Sequence, residues 1–181
     1  MVCQQVLRWQ AIRLILANES LLLLGANTIT SFADDDSNAV LVNRFYGSER
    51  DALLRSHRWN FAISTANLAS LADTPIIDWQ FKFTLPTDPY CLRILDVRTV
   101  TGDITYVQRV EDPTQFDALF YQALVFRLAW KMAYPVTRSS ATMSLMGQMY
   151  DAVVRDARTV DSQEGTPEII ATDTLTDVRL R

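Results

Sequence analysis

The stretch LLRSHRWNFAIS, Leu53 to Ser64, closes a helical pattern with basic residues and then sets Trp59 and Phe61 beside His57, the one histidine of the chain. Its reading decides the fold, because the sequence before it has helical periodicity and the sequence after it, as far as Val110, is largely extended in character. Ala39, Val42, Tyr46, Leu53 and His57 recur at steps that fit about 3.6 residues per turn, so they share one stripe of a helix over about 37–58. Arg50, Arg55 and Arg58 gather toward its C-terminal end, where cations complement the helix dipole. On such a stripe Ser56 lies beside His57 rather than facing it, and the oriented third group that nucleophilic catalysis needs is missing. His57, Trp59 and Phe61 are therefore expected to form a structural corner, packed or hydrogen-bonded, where a helix hands the chain to a β-region.

Upstream, the apolar stretch AIRLILANESLLLLGA runs from Ala11 to Ala26, but Asn18 and Glu19 interrupt it. That break fits neither a secretory core nor a membrane span of about 18 residues. A buried helix over about 3–24 in a soluble protein is expected, stopping at Gly25, which can take the left-handed conformation that closes a helix. Asn27 to Asp36 is then a loop. Asp34, Asp35 and Asp36, followed by Ser37, bring carboxylates and a capping oxygen to the next helix start. A calcium loop would need a glycine turn and a later bidentate Glu at set spacing, which this run lacks.

Downstream, Phe61 to Leu71 is read as extended. Trp79, Phe81, Phe83 and Leu85 alternate with Gln80, Lys82 and Thr84, the mark of a half-buried strand, and Pro86, Asp88 and Pro89 make a turn. Cys91–Val100 and Ile104–Val110 flank Thr101-Gly102-Asp103 and predict an antiparallel hairpin within a β-region over about 61–110. Such an aromatic ladder can stack nucleic-acid bases, but this one carries a single Lys and favours core packing. In DPTQF, Asp112 is expected at an N-cap, Pro113 at the first helical position and Gln115 in a capping box. The helix over about 113–134, through Phe116, Phe120, Ala123 and Trp130, should end near Tyr134 because Pro135 disfavours continuation. A fourth helix, about 138–160, carries Met143, Met146, Met149, Tyr150, Val153, Ala157 and Val160 as an apolar stripe and should pair antiparallel with the third, its methionines filling core. Gly165 and Pro167 break the periodicity, leaving 161–181 as an extended tail.

These elements give an α+β chain: a four-helix bundle with an inserted small antiparallel β-sheet, a single domain over 1–160, and an extended C-terminal tail. The hydrophobic content of 49% in 181 residues suffices for a real core. Seventeen basic against 21 acidic residues, net −4, argue against a polyanion-binding surface over the whole molecule. Cys3 and Cys91 lack metal-ligand spacing and read as buried thiols, not a disulfide framework. Glu49 and Asp51, two apart on a helix, face different ways. The sequence holds no Gly-rich phosphate loop, HExxH or GxSxG, so no catalytic residue, metal ligand or cofactor is assigned.

The order of these motifs resembles a family. Leu21–Ala69, followed by Trp79–Val97, is similar to the head-to-tail adaptor proteins of tailed bacteriophages, notably the tail tubular protein A group of short-tailed phages and their prophage relatives. The resemblance lies in the helix ending Leu24-Gly25, the acidic loop, the helix closing on Leu54, Arg55, His57, Trp59, Asn60, Phe61 and Ala62, and the strand leading to Leu85-Pro86, Asp88 and Cys91-Leu92-Arg93. Asp156 to Pro167 resembles the family's last helix and the start of its tail, so the likeness covers about 16–167. Residues 1–14 form an extra or extended segment, and Arg58 stands where a proline often precedes the Trp.

The resemblance implies a non-enzymatic protein of the virion neck, assembled in the host cytoplasm: a ring of twelve copies beneath the portal protein, offering a platform to the tail nozzle or tube protein. DNA would pass through its channel without specific binding, and no membrane is involved. The C-terminal extension would reach the portal through Ile169, Ile170, Leu175, Val178, Arg179 and Leu180. The β-region has more aromatic and Arg residues than a small half-buried sheet needs, so Trp79, Phe81, Arg93, Arg98, Tyr106 and Arg109 are expected to face neighbouring subunits or the tail component. Without the portal as template the chain is expected to be monomeric. A siphophage-type head-completion connector or tail-completion protein is the alternative within this class. A cell-wall hydrolase and a nucleic-acid-binding module are the alternatives outside it.

Overall fold

The computed structural model describes the backbone of residues 2–72, 81–98 and 101–164 and, from Arg8 onward, their side chains. Among these residues the chain forms α1 (Val2–Leu22), α2 (Ser37–Ser56), β1 (Ile63–Asn67), β2 (Cys91–Arg98), β3 (Asp103–Gln108), α3 (Ala118–Thr137) and α4 (Ser140–Glu164). Short 3-10 turns at Asn60–Ala62 and Pro113–Gln115 precede β1 and α3. The chain is α+β, with four helices and a small antiparallel sheet. α3 touches α1, α2 and α4, the last most extensively, as the two-residue link between them dictates.

α1 ends as its glycine predicts. Gly25 has φ +68°, its N–H donates to the Leu22 carbonyl at 3.0 Å, and the Ala26 N–H donates to the Leu21 carbonyl at 3.0 Å, a Schellman closure. The helix is not buried all round: Leu16, Ala17, Ser20 and Leu21 face the core while Ile15, Leu22 and Leu23 are exposed. Residues 2–14 belong to this same helix, and Arg13 on it is held between Phe32 and Tyr46.

α2 begins at Ser37, but the cap is Asp36, whose carboxylate accepts from the Asn38 N–H at 3.1 Å. Asp34 instead closes the loop, accepting from the N–H groups of Thr30 and Ser31 and from the Thr30 hydroxyl. These bonds hold its carboxyl below the usual range. The stripe Ala39, Val42, Tyr46 and Leu53 is buried, joined by Glu49, Arg50 and Leu54. His57 is not on it. Its backbone is extended (φ −145°, ψ 167°), so the helix stops at Ser56, short of the expected 58.

The sheet has the order β1-β3-β2, both pairs antiparallel, with Ile63 opposite Val107 and Asn67 opposite Asp103. Gly102 turns the β2–β3 hairpin at φ +72°, and a side chain there would collide with the Leu68 carbonyl. Phe81–Leu85 is the chief departure in this region. It forms one isolated bridge, Phe83 to Ser70, with the Leu71 N–H donating to the Lys82 carbonyl, and no ladder. Alternation reports an extended segment with one greasy side; a strand also needs a neighbour to pair with along its length. Phe81 and Leu85 remain exposed, while Trp79 and Gln80 lie outside the described residues.

Asp112 and Pro113 open the 3-10 turn rather than α3, and Phe116 lies between the two elements. Asp117 is the cap of α3, accepting from Leu119 N–H at 2.8 Å and Phe120 N–H at 3.3 Å. α3 also runs past Pro135 to Thr137. The bond a proline forfeits is to the carbonyl four residues back, here on Lys131, an exposed residue close to the C-terminal end of the helix. Arg138, at φ +56°, makes the actual end, donating its N–H to the Tyr134 carbonyl.

α4 is longer than expected and takes in Asp161–Glu164, which the sequence assigned to the tail; residues 165–181 lie outside the described set. Its buried stripe is Met146, Tyr150, Val154, Ala157 and Asp161. Met143, Met149 and Val160, expected as core, are 40%, 46% and 39% exposed, because α4 buries one narrow seam against α3 rather than a wide face. Cys91 is half-buried, and burial pushes its thiol up.

Candidate functional site

The corner is built around Trp59, which is fully buried and donates its indole N–H to the Leu53 carbonyl of α2 at 3.0 Å. His57 meets it edge-on at 4.9 Å and Phe120 of α3 does so at 5.1 Å. Phe61 and Phe116 pack on Phe120 at 5.0 and 4.9 Å. Edge-to-face rings at such separations add directional attraction to plain burial.

One residue from the far end of the chain closes this cluster. Asp161 of α4, 7% exposed, sets Oδ2 3.0 Å from His57 Nε2 and accepts the Asn60 N–H on Oδ1 at 3.0 Å. Asn60 Nδ2 donates in turn to the Asp161 carbonyl at 2.7 Å. A buried carboxylate needs such partners, and here three bonds tie the end of α4 to the turn between α2 and β1.

A carboxylate beside an imidazole is part of acid–base machinery, but the neighbouring hydroxyl is otherwise committed. Ser56 Oγ donates to the Leu53 carbonyl at 2.7 Å and accepts from Arg158 Nη2 at 3.0 Å, so it is not a nucleophile held by His57. Sequence reasoning missed Asp161. The signal was available: 146, 150, 154 and 157 lead at helical spacing to 161, so the buried stripe runs on into a carboxylate that needs a partner.

Two further polar networks brace the helices. Glu49 receives Arg127 Nε at 2.6 Å, with Lys131 at 3.8 Å, and Arg127 Nη1 donates to the Tyr150 hydroxyl at 2.7 Å. Asp51 holds Arg50 and Arg109 at 2.8 Å each, and Arg109 lies over the Tyr90 ring. Glu49 and Asp51 thus serve different cations, as their spacing requires. Tyr46 is 1% exposed and its hydroxyl is buried without a partner; burial pushes its pKa up to about 12.

Of the side chains expected at a subunit or tail interface, Phe81, Arg93 and Arg98 are on the surface. Tyr106 is 1% exposed and cannot serve there, and Arg109 is taken up by Asp51. Trp79 lies outside the described residues, as do the six expected to reach the portal: Ile169, Ile170, Leu175, Val178, Arg179 and Leu180. Among the described residues no group of three or more His, Cys, Asp or Glu side chains is placed to hold a metal ion, and no helix is long and apolar enough to cross a membrane. No protein-family model matches the chain, and no curated protein is significantly similar to it in sequence.

Proposed function

We propose that this chain is a structural head-to-tail adaptor of a tailed bacteriophage, a subunit of the ring that joins the portal to the tail nozzle or tube and continues the DNA channel. The observation that carries the reading is the corner. His57, Trp59, Asn60 and Phe61, the residues at the centre of the family resemblance, are all engaged in joining the end of α2 to α3 and to α4. A motif used in this way belongs to a part whose shape is its work. The insertion of the small sheet between the second and third helices agrees with the motif order of that family.

In this reading the four helices form a bundle, twelve copies close the ring in the virion, and residues beyond α4 reach the portal. DNA slides through without being held, as suits a net acidic ring that must not release counterions from each passing phosphate. The test is direct. Purified chain mixed with portal rings of the same phage should be retained on them and add a layer with the portal's symmetry to averaged electron micrographs. Failure of the chain to bind portal rings, with the chain folded, would overturn the proposal.

A further inference from the structure

Arginines gather around the corner at the C-terminal ends of α2 and α4. Arg55 Nη1 donates to the Leu92 carbonyl at 3.2 Å and Arg93 Nη1 to the Arg55 carbonyl at 3.4 Å, which sets those two side by side. Arg158 reaches Ser56, the next residue, and shares an open groove of α4 with Arg155, while exposed Arg58 follows His57. Arg50, Arg109 and Arg127 elsewhere are paired with carboxylates. Among the described residues none of the five at this end has an ion-pair partner, and Arg158 Nε is buried without an acceptor. Asp161 is already taken by His57 and Asn60, and Asp151, which also lines the groove, makes no ion pair there.

The other end of α2 has the opposite character. About 30 Å away along a helix of this length, Asp35 and Asp36 are exposed, and Asp35 has no partner among the described residues. We propose that the arginine groove is a contact between copies: it receives the Asp35–Asp36 loop of a second copy of this chain. The occupant follows from charge complementarity between the two ends of α2. Beyond the Debye length of about 8 Å the net −4 of each copy is screened, so the contact is decided locally, and the exposed Asp35–Asp36 loop is the acidic counterpart that every copy carries. The contact joins unlike surfaces, so every copy keeps one free end of each sign, and repetition gives a closed ring when the rotation closes. Only that closure rests on the adaptor reading; the pairing itself does not.

Exposed charge pairs each contribute little, so the association is weak and the chain is a monomer at ordinary concentration and salt. The test is sedimentation velocity of the full chain, concentrated, at low and at high ionic strength. Association at low salt should vanish at high salt, be lost in Arg155→Asp and in Asp35→Arg singly, and return when the two are combined. A chain that stays single at low salt, or associates equally well as Arg155→Asp, overturns the proposal. So does a chain that stays single yet binds duplex DNA through Arg155, which would give the groove to phosphate. Portal retention measured on the same variants keeps this outcome separate from that of the adaptor reading.

Discussion

At the scale of single residues, the corner concentrates stability in two side chains and leaves a third replaceable. Trp59→Ala removes a fully buried ring packed on Phe120 and His57 and should cost about 3–5 kcal/mol in equilibrium unfolding. Asp161→Ala strips His57 and the Asn60 N–H of their acceptor inside the fold and should cost about 2–4 kcal/mol. Asp161→Asn, which keeps an acceptor for Asn60, should cost less. His57→Gln should preserve fold and assembly; loss of a hydrolytic activity in that variant, with the protein folded, would sink the structural reading. Tyr46 offers a test of opposite sign, because its buried hydroxyl has no partner and Tyr46→Phe should leave stability unchanged or raise it by about 1 kcal/mol. The same group sets an alkaline limit. The unfolded chain releases that proton near pH 10 and the folded one near 12, so the contribution is complete below about pH 10 and is lost as pH rises toward 12. Tyr121, raised by burial first and by Glu19 second, adds to the same fall. Thermal melts should therefore drop less steeply above pH 10 in Tyr46→Phe than in the native chain, without becoming flat.

At the scale of elements, the parts legible in the sequence were those governed by local chemistry. Gly25 closes α1, the acidic loop starts α2, and the runs around Gly102 pair as a hairpin, since each outcome depends on a few adjacent residues. The rest depends on neighbours that sequence does not name. Whether Phe81–Leu85 joins a ladder is decided by what lies alongside, and Pro135 is carried in the last turn of α3 because only one backbone bond is forfeited there. Pro135→Ala should accordingly raise stability by about 1 kcal/mol, less than the ~3 kcal/mol of a helix interior, because Pro135 lies in the last turn of α3, beside exposed Tyr134. At Gly147 α4 comes close to α3: a Cβ there would sit 3.1 Å from the Trp130 indole nitrogen, beside the Trp130–Tyr150 stack at 5.8 Å. Gly147→Leu would lift the helices apart and should cost about 1–3 kcal/mol in chemical denaturation.

At the scale of the whole molecule, the described residues up to Glu164 share one continuous core. That core gathers α1 to α4 and the inner end of the sheet, and among the described residues α4 ties to the corner at Asp161, before the sequence turns to Gly165 and Pro167. Beyond them Ile169, Ile170, Leu175, Val178 and Leu180 are spaced by Thr and Asp. Five aliphatic side chains in so short a polar segment gain nothing in water, but an extended segment laid along a partner can bury them and pair its backbone. Stability and attachment should then separate cleanly. Deleting residues 166–181 should leave the thermal unfolding of the chain almost unchanged while abolishing its retention by portal rings. Retention of the truncated chain at native strength would move the docking surface onto the helices, where exposed Ile15, Leu22, Met149 and Leu145 offer the next apolar contacts.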